Sequence, residues 1–422
     1  MSRALLPACV TWESLRASGV ETSLSPNALY LVHLMSCALR GQAPAALPAG
    51  ASWDAVFKLA SRNSVATTCA FAVATAPGAD AGERRRWQAE VDRNLMRHAV
   101  FDMEREAIFS AMDAAGLTHL PLKGVVTSRC YPRPEMRWMC DNDILFGRVS
   151  ADGSVAAATD DDARDLRSIM EAAGFTAAYF GAGNHDCYQK APFLNFEMHR
   201  GLANPEVDWW EYYRDPWARA VKDTGAPGLS RAFSREDAYL FHIAHMFKHF
   251  SHSGHGVRGI ADQWVLLQAW GGSMDRAYLD AELAKLGMLG FEADLRRVAA
   301  NVVGADACGH ALAGKADALL AQDARMLAYM LGSGTYGTVA NSVRNQLAQD
   351  AARNGEKGSR ARYLLRRAFP AREVLEQGYP VLKRAPWLLP GVYAYRLAVK
   401  TFTSAGRVRT EFLVLAEKGR KR

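Results

Sequence analysis

The spacing of apolar and polar residues divides the chain into three stretches. From residue 25 to residue 116, apolar side chains recur every three or four positions, which is the period of a helix face. One helix should begin behind Ser25 and Pro26, and a longer helical segment follows Pro77 and Gly78. In this longer segment we expect the apolar face to consist of Val91, Leu95, Met96, Ala99, Val100, Met103 and Ala107.

The middle of the chain shows the pattern of a sheet. Between Leu117 and about Gly201, short apolar runs alternate with Gly, Asn and Asp turns. The expected strands are THLPL, DNDILF, FTAAYF and FLNFEMH, and DARDLRSIMEAAG is expected to be a helix that closes at Gly174. Beyond Pro216 the helical pattern returns. We therefore predict an α+β fold with a small mixed sheet as the core at residues 117–230, a helical N-terminal region at 1–116 and a helical C-terminal region at 231–422.

The composition is that of an ordinary globular protein. With 422 residues, 49% hydrophobic and 23% charged, the chain is long enough for about two or three cores. The longest apolar runs are too short for a transmembrane segment or a signal peptide, so we expect a cytoplasmic protein. The cysteines are odd in number and form no C-x-x-C pair, which argues against a disulfide framework and a zinc knuckle.

Basic residues are concentrated near the C-terminus. Residues 351–422 contain 17 Lys or Arg and 5 acidic residues, whereas the rest of the chain is slightly acidic. Such a block either contacts phosphates, of nucleic acid or of a membrane surface, or forms the solvated face of a helical domain. Its passage YPVLKRAPWLLPGVYAYRLAVKTF could stack a single-stranded RNA end, anchor at a membrane interface or form a packed hairpin, and we expect the hairpin.

The segment PLKGVVTSRCYPRPEMRWMCDNDIL holds the first candidate chemistry. A strand that ends at Lys123-Gly124 and runs into a helix presents backbone N–H groups and the positive end of a helix dipole to a phosphate. In the strand that follows, side chains alternate, so Asp141 and Asp143 share one face. Carboxylates this close repel each other. This pattern favours a divalent cation such as Mg²⁺ between them, unless the strand is a solvent-facing edge.

A third acid lies on the predicted strand FLNFEMH. One face of this strand is apolar, and the other carries Asn195, Glu197 and His199. Glu197 would then stand beside the two aspartates, and three acids on adjacent strands can form a two-metal site for phosphoryl transfer. His199 could orient a phosphate or a ligand, or it could hydrogen-bond to a neighbouring loop.

The order of these motifs resembles a poorly characterised family of nucleotidyltransferases related to the DNA polymerase beta superfamily. The elements that carry the resemblance are Leu122-Lys123-Gly124, Tyr131-Pro132-Arg133-Pro134 with Arg137, Asp141-Asn142-Asp143, Gly174-Phe175 and Glu197-Met198-His199. A later helical segment adds His242, His245, His249, Arg258 and Asp262. The resemblance extends unevenly from about residue 90 to about residue 400.

This resemblance implies a fold and a reaction. The fold would be a minimal nucleotidyltransferase (polymerase-beta-like) mixed sheet between helical regions. The reaction would move a nucleoside monophosphate from a nucleoside triphosphate, with ATP expected, to an acceptor. Mg²⁺ or Mn²⁺ would be held by the implied catalytic residues Asp141, Asp143 and Glu197, and the triphosphate by Lys123 and Gly124. The chain departs from the wider superfamily at this Lys-Gly pair, where Gly-Ser or Gly-Gly is usual.

Two further charged residues have alternative roles. Arg137 stands just before the aspartate strand, where it could clamp a phosphate and help to bind the nucleotide, or pack on Trp138. Asp262 could hydrogen-bond to residues of the site or cap a neighbouring helix. The sequence does not separate these roles.

A histidine cluster follows the sheet. Five of the eleven histidines fall between His242 and His255, some of them spaced three and four apart on one helix face. No H-E-x-x-H motif or nearby cysteine supports structural zinc. We expect this face to pack against the sheet and line the acceptor side of the cleft, with His245 or His249 near the nucleotide. Lys248 should point elsewhere.

Two other functions compete with nucleotidyl transfer. A sugar transferase with an Asp-x-Asp motif would need a sizeable sheet before the acid pair, but the preceding residues are predicted to be helical. A non-catalytic protein that binds a nucleotide or RNA would have no need for the acids, and all three are present. The acceptor could be a protein, an RNA or a small molecule, and nothing in the sequence indicates a specificity for DNA.

Overall fold

Helices open the described part of the chain. The computed structural model describes residues 24–304 except 182 and 206, residues 321–354, 359–403 and 405–417. The first 23 residues with Cys9, and the segment with Cys308, lie outside these ranges. The helices before the sheet are α1 (Pro26–Arg40), α2 (Trp53–Arg62), α3 (Ala66–Val73) and α4 (Ala81–Ala114). The Ser25 hydroxyl accepts a hydrogen bond from Ala28 N at 3.3 Å, which confirms the predicted start of α1.

The buried face of α4 differs from the predicted one. Leu95, Met96 and Met103 are 51%, 54% and 61% exposed. The side chains that α4 buries are instead Trp87, Val91, Asn94, Phe101, Arg105, Ile108 and Met112. Two of these, Asn94 and Arg105, are polar and hydrogen-bond to the region of the second strand. Because the spacing argument counted apolar residues only, it selected the wrong stripe of the helix.

A six-stranded mixed sheet follows α4. Its strands are β1 (Leu117–Pro121), β2 (Asn142–Val149), β3 (Val155–Ala157), β4 (Thr176–Tyr179), β5 (His185–Lys190) and β6 (Leu194–His199). The order is β1-β2-β6-β5-β4, with β3 also paired to β2. The β2–β6 pair is parallel and the other pairs are antiparallel. The strands predicted from the sequence correspond to β1, β2, β4 and β6.

Shorter elements complete this core. The one-turn helix α5 (Gly124–Thr127) follows β1, and α6 (Asp160–Ala172) connects β3 to β4 where the sequence predicts a helix. Thr159 and Asp162 form a capping box at the start of α6, and Gly174, with φ +83°, follows its last turn. A separate hairpin consists of β7 (Ala220–Lys222) and β8 (Arg231–Phe233).

The apolar sides of β2 and β6 pack against α4 and α6. Ile144 and Phe146 of β2, with Phe196 and Met198 of β6, are fully buried in one cluster with side chains of these helices. Asp143 of β2 and Asn195, Glu197 and His199 of β6 therefore face away from this cluster, as the alternation predicts. Asn142 lies on the cluster side, where it accepts a hydrogen bond from Arg105 of α4.

Helices make up the rest of the described chain. They are α7 (Arg235–His252), α8 (Arg258–Trp270), α9 (Arg276–Lys285), α10 (Leu289–Val303), α11 (Ala321–Ser333), α12 (Val339–Asn354), α13 (Ser359–Ala368), α14 (Arg372–Gly378), α15 (Val381–Arg384), α16 (Leu389–Thr403) and α17 (Ala405–Glu417). Residues of α1–α3 and of α7–α11 share one hydrophobic cluster, so the leading helices pack with the later ones in space. The fold is α+β, as predicted, and the division into three regions along the chain stays a prediction.

The basic C-terminal part is only partly packed. Tyr393 donates a hydrogen bond to the carbonyl oxygen of Pro370 at 2.8 Å and packs on Phe369, whereas Trp387 is 75% exposed. The expected packed hairpin is therefore wrong for this tryptophan. Several arginines pair with acids of the same region, such as Arg367 with Glu411 at 3.1 Å. Among the described residues, no helix is both long and apolar enough to cross a membrane.

The observed face of α4 gives a stability prediction. Ile108→Ala should lower the free energy of unfolding by about 2–5 kcal/mol, because it leaves a cavity in the cluster beneath the sheet. Leu95→Ala should change it by less than about 0.5 kcal/mol, because this side chain is exposed. Urea unfolding followed by circular dichroism measures both variants. Equal losses for the two would contradict the observed orientation of α4.

Candidate active site

The parallel pairing of β2 with β6 brings two of the predicted acids side by side. Asp143 lies opposite Glu197 in the register, and His199 follows on the same face of β6. Carboxylate oxygens of Asp143 and Glu197 and a ring nitrogen of His199 all lie within 4.8 Å of one another. The sequence predicted this convergence from the alternation in the two strands.

Asp143 is the centre of the site. It is 4% exposed, and its Oδ1 lies 2.6 Å from Lys123 Nζ and 2.8 Å from His199 Nε2. Burial alone would raise the pKa of Asp143, but Lys123 and His199 hold it well below its usual range. Burial and the charge of Lys123 lower the pKa of His199 to about 4. At neutral pH the ring is therefore neutral and donates its Nε2–H to an ionised Asp143.

The pKa values of the other two acids are raised by burial and by the negative charge that the three carboxyl groups share. Burial and the charge of Asp143 raise the pKa of Asp141 to about 6 and that of Glu197 to about 7. Lys123 acts in the opposite direction on both carboxyls without reversing the shift. The nearby cations thus leave part of the negative charge at Asp141 and Glu197 uncompensated, which is the environment that a divalent cation stabilises.

Lys123 occupies an unusual backbone conformation. Its φ of +47° lies in the region that favours glycine and costs other residues about 1–3 kcal/mol. Its side chain is thereby directed at Asp143. A Cβ on Gly124 would lie 2.7 Å from Arg137 Nη1, so glycine is required there for the close approach of that side chain. Helix α5 has four residues, so the predicted helix dipole is limited to a single turn.

Arg137 makes a bidentate ion pair with Asp262. The distances are 2.8 Å from Nε to Oδ1 and 3.0 Å from Nη2 to Oδ2, and the Tyr131 hydroxyl donates to Oδ1 at 2.8 Å. Asp262 therefore hydrogen-bonds to residues beside the site instead of capping a helix. Trp138, the alternative partner of Arg137, lies under the guanidinium of Arg97. Binding of a nucleotide by Arg137 stays a prediction.

The segment that leads into β2 is held by helices. Asn94 of α4 donates a hydrogen bond to the carbonyl oxygen of Arg137 at 2.9 Å. Thr67 and Thr68 of α3 both donate to the carbonyl oxygen of Met136, at 2.9 Å and 2.7 Å. The backbone before the first aspartate is therefore fixed although it belongs to no strand.

The predicted cleft histidines lie close together. His245 Nε2 and His249 Nε2 are 3.1 Å apart. Burial lowers the pKa of His249 to about 3 and that of His245 well below its usual range, and Lys123 contributes to both shifts. The two rings are therefore neutral and within electrostatic range of the site. Among the described residues, the groups of three potential metal ligands do not include them.

Sequence reasoning missed some residues of the site. Burial and the charge of Lys123 lower the pKa of Lys248, while Glu197 and Asp143 act in the opposite direction, so this lysine lies within electrostatic range of the acids. Lys248 follows His245 by one helical turn, which is a spacing that could have revealed it. The charge of Arg258 also opposes the rise in the pKa of Asp141.

Strand β5 was also missed. His185 and Cys187 lie on it and face Glu197 and His199 across the β5–β6 pair. The sequence HDCYQK has no apolar run, so the criterion used for strands could not find it. The one weak indication of a strand in this sequence is that Cys187 alternates with Tyr188 shortly before the clearly predicted strand FLNFEMH.

The mixed sheet presents clustered acids together with a lysine that follows the end of β1. The chain belongs to the family described as uncharacterised nucleotidyltransferases, whose profile matches residues 49–304, more than half of its length. Membership supports nucleotidyl transfer as the general activity. Comparison with curated proteins and with solved structures gave no match.

The buried pair of Arg137 with Asp262 should matter for stability. Asp262→Ala leaves a buried, unpaired guanidinium and should lower the free energy of unfolding by about 3–5 kcal/mol. The matched control is Asp54→Ala, which breaks exposed pairs with Lys58 and Arg86 and should change stability little. Urea unfolding of the two variants measures the difference. Similar losses of unfolding free energy in the two variants would show that the buried pair stabilises the fold no more than the exposed pairs do.

Proposed function

We propose that this protein is a metal-dependent nucleotidyltransferase that moves a nucleoside monophosphate from a nucleoside triphosphate, with ATP expected, to an acceptor. The observation that carries the proposal is the register of Asp143 opposite Glu197, with Lys123 bonded to the aspartate. Family membership supports the reaction class. The acceptor is proposed to be a protein, an RNA or a small molecule.

Asp141, Asp143 and Glu197 would hold the cation, Mg²⁺ or Mn²⁺. The raised pKa values of Asp141 and Glu197 support this assignment, since they arise from negative charge that a divalent cation would neutralise. When bound, the cation supplies charge neutralisation for the phosphates and lowers the pKa of the acceptor hydroxyl.

The contact to the triphosphate and the acceptance of the proton are assigned to residues of the chain. Lys123 can exchange Asp143 for an oxygen of the triphosphate, because its ammonium is already held at that position by a single carboxylate. Glu197, when ionised, can accept the proton of the acceptor hydroxyl. Gly124 and Arg137 are proposed to contribute to the nucleotide site from the turn beneath Lys123.

The acceptor side of the cleft is proposed to lie at α7. His245, His249 and Lys248 come from this helix and lie within electrostatic range of Lys123. An amine and neutral imidazoles suit an acceptor that brings an oxygen nucleophile and a partial negative charge. We propose a cytoplasmic location, which fits the buried free thiol of Cys69.

Removal of the central acid tests the reaction. Asp143→Asn and Asp141→Asn should lower the rate of label transfer from α-labelled ATP by about a thousandfold, because cation binding supplies several kcal/mol. The control is Asp161→Asn, an acid of α6 that is 83% exposed. Transfer is measured with the purified protein, Mg²⁺ and a cell extract as the source of the acceptor.

The outcomes separate the competing functions. Full transfer by Asp143→Asn would overturn the mechanism. Mg²⁺-dependent binding of ATP by the native protein, without transfer of label from any nucleoside triphosphate, would favour the non-catalytic alternative. Transfer from a nucleotide sugar alone would favour the sugar transferase.

The role of Lys123 is tested separately. Lys123→Ala should raise the KM for the triphosphate about 10–100-fold, because a charge-assisted contact contributes about 1.5–3 kcal/mol. Lys58→Ala, which removes an exposed lysine of α2, is the control and should leave the KM unchanged. An unchanged KM in Lys123→Ala would show that this lysine serves only to neutralise Asp143.

A further inference from the structure

The antiparallel pairing of β5 with β6 places a second set of ligands beside the acids. Cys187 lies opposite Glu197 in the register, and His185 lies opposite His199. Residues opposite each other in such a pair have their side chains on the same face of the sheet. Imidazole, thiol and carboxylate groups therefore meet on the face that also carries Asp143.

The distances suit a metal site. A ring nitrogen of His185, Sγ of Cys187 and a carboxylate oxygen of Glu197 all lie within 4.8 Å of one another, and His185 Nε2 is 3.9 Å from Glu197 Oε2. Ligands of a tetrahedral Zn²⁺ lie about 3.3–3.8 Å apart, given zinc–ligand distances of about 2.0–2.3 Å. The three groups therefore need to approach one another by at most about 1–1.5 Å to reach this range. His185 and Glu197 are 32% and 26% exposed, so an ion can reach them from solvent.

Asn184 selects the tautomer of His185 that can bind a metal through Nε2. Its Nδ2 donates a hydrogen bond to the carbonyl oxygen of Gly201 at 3.0 Å, which orients the amide. Its Oδ1 then accepts from His185 Nδ1 at 3.1 Å. A ring that carries its hydrogen on Nδ1 has a free lone pair on Nε2, the atom nearest Glu197. Such a second hydrogen bond commonly orients metal-binding histidines.

We propose that His185 Nε2, Cys187 Sγ and Glu197 form a Zn²⁺ site that shares its carboxylate with the catalytic acids. A thiolate and an imidazole select Zn²⁺ over Mg²⁺, whereas the all-carboxylate set of Asp141, Asp143 and Glu197 suits Mg²⁺. On binding, the thiol of Cys187 releases its proton to solvent and the thiolate bonds to the ion. The fourth position is open to water.

The shared carboxylate predicts inhibition, a consequence that rests on the proposed function. A Zn²⁺ ion bound by His185 and Cys187 draws the Glu197 carboxylate toward β5. Glu197 is then unavailable to the catalytic cation and to the acceptor hydroxyl. Zn²⁺ should therefore slow nucleotidyl transfer in the presence of excess Mg²⁺.

Co²⁺ is the probe for the site, because a cobalt–thiolate bond gives a charge-transfer absorption band. The full-length protein is titrated with Co²⁺ in excess Mg²⁺ and without nucleotide. The native protein should develop the band, Cys187→Ser should lack it, and Zn²⁺ should displace it. Cys130→Ser is the matched control, since Cys130 is also a half-buried free thiol and lies outside the cluster. Absence of the band, or its persistence in Cys187→Ser, overturns the proposal.

A second variant tests the geometry without removing a ligand. Asn184→Ala should weaken Co²⁺ binding about 10–100-fold, as expected for loss of an orienting hydrogen bond. Unchanged Co²⁺ affinity would overturn the assignment of Nε2. The binding assay does not depend on activity, so a protein that binds Co²⁺ and transfers nothing retains the site and refutes only the proposed function. If transfer occurs, Cys187→Ser should need at least about tenfold more Zn²⁺ for inhibition.

Discussion

The parallel register of β2 with β6 is the constraint on which the site depends. Side chains of a strand alternate between two faces, so a shift of one residue would turn Glu197 toward the apolar cluster and Met198 toward the acids. The fully buried Ile144 and Met198 hold the register against such a shift. Packing on one side of the sheet thus fixes the chemistry on the other.

The second constraint on the site is electrostatic. The negative charges of Asp141, Asp143 and Glu197 act on one another, and Lys123, whose backbone is strained, opposes them. Strain of this kind persists only when the surrounding structure maintains it, and it is common at functional sites. The same lysine forms an ion pair with Asp143 and offsets part of this negative charge.

The sequence predicted the parts of this structure that follow from alternation. Asp143 in DNDILF and Glu197 in FLNFEMH lie side by side, as the alternation predicts, whereas Asp141 precedes β2 and is not part of the strand. The buried face of α4 was not predictable by the same means, since Asn94 and Arg105 are buried for their hydrogen bonds. The partner of Arg137 was also hidden, because Asp262 is distant in sequence.

The helices before the sheet contribute no residue to the site, but they hold the backbone that leads into it. Thr67, Thr68 and Asn94 hold the backbone between β1 and β2, and so they determine where the first aspartate stands. The family match begins at residue 49 and so includes α2, α3 and α4. The position of the first aspartate therefore depends on residues far upstream of its own strand, and a sequence change in α3 can displace this carboxylate without altering any residue of the site.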